Sequence, residues 1–148
     1  SMKDTLHNSE KVIITNLFYT PSAGDIVVIS RNTENSVYTM DASKKPIIKR
    51  IIATAGQTVD IDFEEGVVYV DGIALDEPYT RTPTNLKYDI DFPVTVDEGC
   101  VFVLGDNRND SLDSRSSQIG DYGMIDTRYI LGHAICRIFP FDKIGGLK

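Results

Sequence analysis

Val67-Val68-Tyr69-Val70-Asp71-Gly72-Ile73-Ala74-Leu75 is an apolar run rich in β-branched residues and broken once, at Asp71-Gly72. Asp-Gly between two such runs is a strong signal for a two-residue type I′ turn, because both central positions need positive φ. The stretch therefore predicts a β-hairpin. The same grammar repeats outward along the chain. Short runs of Val, Ile, Tyr and Phe alternate with turn clusters. They predict strands at Lys11–Leu17, Asp25–Ser30, Ile47–Thr54, Thr58–Asp62, Val67–Val70, Cys100–Leu104 and Leu131–Phe139. Gly24, Gly56, Gly66 and Gly99 mark turns or bulges. Helix signal is confined to a short stretch near Asp126–Tyr129, and the polar Tyr79–Phe92 segment reads as a long surface loop. One mainly β domain follows.

Composition agrees with a globular chain. There are 148 residues, 41% hydrophobic and 25% charged, enough for one domain with a core. The net charge of -7 lacks the footprint of a nucleic-acid binder, and argues against charge-driven adhesion to an anionic lipid surface. Cys100 and Cys136 form no C-x-x-C pair and read as two free thiols or one disulfide. No window approaches the ~20 apolar residues of a membrane span. The chain begins abruptly, without an initiator Met, and is expected to be a soluble fragment whose upstream anchor is absent.

Three stretches stand apart from ordinary strand and turn sequence. In Ile47-Ile48-Lys49-Arg50-Ile51-Ile52, strand alternation puts one cation between two isoleucines on each face. A cation on a buried face is desolvated unless paired. Arg stays protonated, whereas Lys can lose its proton and serve as a general base. The same pattern also fits an edge strand whose cations reach water. Gly105-Asp106-Asn107-Arg108-Asn109-Asp110-Ser111-Leu112-Asp113-Ser114-Arg115 is dense in side chains that fix loops. Arg108 and Arg115 can pair with Asp106, Asp110 or Asp113. The stretch fits an ordered network supporting a site, and equally a polar surface or cation-binding loop, although it lacks the EF-hand pattern. Ser1-Met2-Lys3-Asp4-Thr5-Leu6 has little content alone, since a terminal Ser is often a cloning remnant. Neither His7 nor His133 sits in a hydrolase or metal motif, so lysine is the better candidate base for acyl transfer.

Taken in order, these stretches resemble the type I signal peptidase family. Ser1-Met2-x-x-Thr5-Leu6 is similar to its nucleophile box. Gly24-Asp25-Ile26-Val27-Val28 resembles the next box, and Lys49-Arg50-Ile51-Ile52 leading to Gly56 the lysine box. Gly105 to Arg115 matches the last box in full, and Gly120 to Ala134 continues the likeness over nearly the whole chain. Asp4, Ala53, Ala55 and Gln57 depart from commoner family residues without touching Ser1 or Lys49.

The resemblance implies an antiparallel sheet coiled into a β-barrel catalytic core, with a smaller β subdomain inserted at roughly residues 60–93. It implies a serine endopeptidase that removes signal peptides from secreted preproteins after a small-x-small (Ala-x-Ala) motif. Ser1 would be the nucleophile and Lys49 the general base. Ser111 would hydrogen-bond and orient the Lys49 amine. Arg50, Asp106, Arg108, Asp113 and Arg115 would support the site, Asp113 with Arg115 as a pair. The Ser1 backbone N–H would contribute to the oxyanion hole. Substrate would add as a β-strand beside the lysine strand, with Met2, Leu6, Ile47 and Ile48 lining its pockets. No metal and no cofactor are implied. The partners would be signal peptides and, through the missing anchor, the cytoplasmic membrane, with the catalytic domain on its extracytoplasmic side.

Two other readings use the same residues. A non-proteolytic relative, acting as an assembly or chaperone module for surface proteins, would have lost Ser or Lys, and this chain has both. A self-cleaving Ser-Lys repressor-type domain is disfavoured by the acidic charge and the Gly-Asp-Asn-Arg box. If Lys49 is the base, activity has an acidic limb below neutrality.

Overall fold

The computed structural model describes residues 1–3, 5–7, 9–16, 19–31, 45–139 and 141–147, with backbone only for Cys136, Ile138, Phe139 and Phe141. Its strands are β1 (Lys11–Thr15), β2 (Ile26–Ile29), β3 (Ile47–Thr54), β4 (Thr58–Asp62), β5 (Val67–Val70), β6 (Ile73–Ala74), β7 (Val94–Thr95), β8 (Cys100–Leu104), β9 (Ile125–Asp126), β10 (Ile130–Phe139) and β11 (Gly145–Gly146). Every pairing is antiparallel. The larger sheet runs β1-β10-β2-β3-β8-β9, with β11 also on β10, and the smaller runs β6-β5-β4-β7. The helix signal near Asp126–Tyr129 resolves into a 3₁₀ turn at Thr127–Tyr129, started by the Asp126 side chain accepting from the Arg128 N–H. Leu17, the expected end of the first strand, lies outside the described residues.

The hairpin forms as read. Asp71 and Gly72 have φ of 51° and 78°, and Tyr69 pairs with Ala74 and Val70 with Ile73. Its sheet occupies the chain between β3 and β8. One core joins the two sheets: Ile52, Ala53, Phe102 and Leu104 pack on Val59, Ile61, Val68, Val70, Val94 and Val96. A second cluster gathers Val27, Ile29, Ile51, Val101, Val103 and Ile125. Strand β3 thus buries both faces, as a central strand does, and the edge-strand reading of its cations is set aside by this burial.

The ends of β3 differ in one way that matters for chemistry. β2 pairs with Ile47–Arg50, while β8 pairs with Arg50–Thr54. On the side away from β2, Ile47–Lys49 carries no partner strand among the described residues.

Candidate active site

The Lys49 side chain is 2% exposed, and its Nζ lies 2.6 Å from Ser1 Oγ. Burial pushes its pKa down to about 8, with Arg115 and Arg31 acting in the same direction and Asp113 and Asp106 opposing. No carboxylate lies within ion-pairing distance of it among the described residues. A protonated Lys49 donates to Ser1 Oγ; once neutral, its lone pair can accept the hydroxyl proton instead. That is the geometry an activated nucleophile requires.

Ser1 is held by the turn that follows β8. Its carbonyl accepts from the Asn107 N–H at 2.8 Å. Met2 and Leu6 are buried with Ile26 and Ala134, and Ile48 packs on that cluster. The Met2 carbonyl accepts from the Thr5 and Leu6 N–H groups, so the segment turns back and delivers Thr5 Oγ1 to the Asp106 carboxylate. Gly105 is required by closeness: a Cβ there would stand 2.7 Å from the Ser1 carbonyl oxygen and 2.6 Å from Ser111 Cβ.

The polar loop closes on itself through buried arginines. Arg50 grips Asp106 in two parallel bonds, Nε to Oδ1 at 2.8 Å and Nη2 to Oδ2 at 2.7 Å, and its Nη1 donates to the Gly24 carbonyl. Arg115 pairs with Asp113 at 2.8 Å, while Asp113 Oδ2 accepts from the Gly105 N–H. Arg108 differs from the sequence-based expectation. Its guanidinium leaves Asp106, Asp110 and Asp113 aside and donates to Glu77, to Thr84 Oγ1 and to the Gly105 carbonyl. The reason is reach. Arg50, from the neighbouring strand, and Thr5 already hold the Asp106 carboxylate, and the Glu77 carboxylate offers Arg108 a full charge.

The remaining expectations are placed as follows. Ser111 Oγ is buried without a hydrogen-bond partner, so the bond expected to the Lys49 amine is not made here. Met2, Leu6 and Ile48 come together. Ile47 does not join them and packs instead on the Val27, Ile29 and Ile51 cluster. Cys100 is a free, half-buried thiol whose pKa burial raises, and the Cys136 side chain lies outside the described residues. Glu77, Tyr79, Thr84 and Tyr88 lie in or beside a segment read from sequence as surface loop, and contact the site's arginines. Nothing in the local sequence marked them, since their partners lie far away in the chain.

A buried lysine against a serine hydroxyl, on an antiparallel β framework with an ordered polar loop beneath, fits the class of serine hydrolases. The comparisons narrow this. The sequence pattern described as signal peptidase, peptidase S26, matches residues 1–139. "Probable signal peptidase I-1" of Synechocystis sp. is 37% identical over 99% of this chain and 71% of its own length. "Probable signal peptidase I-2" of the same organism is 34% identical over 98% of this chain and 62% of its own, so the chain spans part of each relative. A crystal structure of a signal peptidase I from Enterococcus faecalis superposes with a TM-score of 0.55 at 28% identity, covering 78% of this chain and 97% of that one. The chain belongs to the signal peptidase I family, peptidase S26, a membrane-associated family of serine endopeptidases.

Proposed function

We propose that this chain cuts signal peptides from secreted preproteins after a small-x-small motif, with Ser1 as nucleophile and Lys49 as general base. The observation that carries the reading is the 2.6 Å approach of a buried Lys49 amine to Ser1 Oγ. Burial brings the amine close enough to neutral pH to act as a base. Neutral Lys49 takes the hydroxyl proton as Ser1 Oγ attacks the scissile carbonyl. The protonated amine then delivers that proton to the leaving nitrogen, and water repeats the sequence on the acyl-enzyme. The main-chain nitrogen of Ser1 serves the oxyanion, where a single donor is worth about 3–4 kcal/mol. Ser111, whose buried hydroxyl is unpartnered and stands with the Ser1 carbonyl against Gly105, would orient the amine.

The unpaired edge of Ile47–Lys49 is where an extended peptide adds as a strand. Met2, Leu6 and Ile48, which pack in one cluster, would supply the apolar walls for small side chains. In the whole protein, an anchor preceding Ser1 would hold this domain on the extracytoplasmic side of the cell membrane, where such substrates emerge. Among the described residues, no helix is long and apolar enough to cross a membrane.

The test is cleavage of a peptide carrying Ala-x-Ala by the chain and by Ser1→Ala and Lys49→Ala. Cutting after the final Ala by wild type, with both variants at background, supports the reading. Binding without cutting by wild type would instead favour the assembly module. Normal cutting by Lys49→Ala would sink the mechanism and leave the family standing.

A further inference from the structure

The segment from Glu77 to Tyr88 reaches every buried arginine of the site. The Tyr79 ring covers Arg50, with its centroid 3.9 Å from Cζ. Arg50 already uses its in-plane donors on Asp106 and Gly24, and those bonds resist sliding within the guanidinium plane. Motion out of the plane is opposed only by what lies on its faces, and Tyr79 lies there. The Tyr79 hydroxyl donates to Glu77 Oε2 at 2.9 Å, and burial with the Glu77 charge keeps the phenol neutral. Glu77 in turn pairs with Arg108, whose Nε donates to the Gly105 carbonyl at 3.0 Å. Further along, the Leu86 carbonyl accepts from Arg115, and the Tyr88 ring stands 5.3 Å from that guanidinium.

These contacts converge on Gly105–Asn107, the turn that holds the Ser1 carbonyl. We propose that Tyr79 and Glu77 are positioning residues of this site, acting on Ser1 through Arg50, Arg108 and the Gly105–Asn107 turn. The proposal rests on the reading of Ser1 and Lys49 as the reacting pair. Tyr79 presses Arg50 onto Asp106. Asp106 is bonded to Thr5 and is followed by the residue whose N–H holds Ser1. Glu77 secures both Tyr79 and the arginine under Gly105. A small loss of register at Ser1 costs rate far more than it costs affinity, because attack demands near-contact alignment. The same loosening admits water beside Lys49, so its proton affinity rises towards that of an ordinary lysine.

The experiment uses Tyr79→Leu, Tyr79→Phe and Glu77→Gln in the chain. It reads kcat and KM on an Ala-x-Ala peptide, the thermal midpoint, and the Lys49 amine titration by NMR. The expected result for Tyr79→Leu is a kcat about tenfold lower or more, a KM within about twofold, and a Lys49 midpoint moved up. Tyr79→Phe keeps the ring and holds kcat within about threefold. Glu77→Gln keeps the shape but removes the charge, and lowers kcat with an upward Lys49 shift; it decides the matter if Tyr79→Leu does not fold. A lower thermal midpoint with kcat and the Lys49 titration unchanged would show a merely structural clamp and overturn the proposal. If no form of the chain cleaves, the peptidase reading fails, and the Lys49 titration alone decides: a midpoint unmoved in both Tyr79→Leu and Glu77→Gln overturns the positioning role.

Discussion

Lys49 and Arg50 are neighbours on one strand, both buried, and the two faces of β3 treat them in opposite ways. On one face Arg50 meets a carboxylate in two bonds, a carbonyl in a third and an aromatic ring on its flat side. On the other, buried Lys49 meets a neutral hydroxyl, with no carboxylate at ion-pairing distance among the described residues. A guanidinium cannot shed its proton, so its burial is tolerable only with full pairing. An ammonium left without a partner gives way instead, and its pKa falls to about 8. The difference teaches that one strand can tie one cation firmly into the fold and leave its neighbour with a lowered pKa.

The comparison breaks most visibly at Lys49. Replacing it with Met, which keeps the stem and removes the amine, is expected to lower kcat by about 10³-fold or more, measured on an Ala-x-Ala peptide. Arg50→Met should do the reverse kind of damage. It strands the Asp106 carboxylate in the interior and is expected to cost about 3–5 kcal/mol of stability by chemical denaturation. Lys49→Met should meanwhile stabilise the fold near neutral pH, by about 3 kcal/mol. The sign follows from linkage. The Lys49 pKa is 10.5 unfolded and about 8 folded, so between those values the unfolded chain binds more protons and stability rises with pH. The burial penalty is fully present below about 8 and gone above 10.5. A wild-type gain in stability across that window, absent in Lys49→Met, checks it.

A gentler probe is pH itself. With Lys49 as base, log kcat/KM should fall with unit slope as pH drops below about 8, higher than the sub-neutral limb the sequence suggested. A flat profile from pH 6 to 9 would count against the base. The smallest effect belongs to a pair with neither burial nor function. Arg128 is 76% exposed and pairs with Asp126 at 2.9 Å, and Arg128→Ala should change stability by less than about 1 kcal/mol.

Most strands were legible because each is a short β-branched run closed by a turn residue. β3, β4, β5 and β8 run within the limits read from sequence. β2 is one residue shorter at each end than read, and β10 starts one residue earlier, at Ile130, beside a register shift. In the site, the Asp113–Arg115 pair came from the family resemblance, since the residues alone left Arg115 open to Asp106, Asp110 or Asp113. Arg50–Asp106 and Arg108–Glu77 were not legible, since their partners are brought together from segments far apart in the chain. The Tyr79–Phe92 segment looked like surface loop because it is polar and irregular. It is largely an exposed irregular loop, but Tyr79, Thr84, the Leu86 carbonyl and Tyr88 turn in to the buried guanidiniums.

By itself the sequence determined the β architecture, since alternation and Asp71-Gly72 act over a few residues. It also marked Ser1, Lys49 and the Gly105–Arg115 loop through their resemblance to a family. Only the tertiary structure decided which cation of β3 is paired with a carboxylate and which is left against a hydroxyl. That choice depends on what stands across from each side chain, and a carboxylate, a ring or a hydroxyl comes from residues far away in the chain.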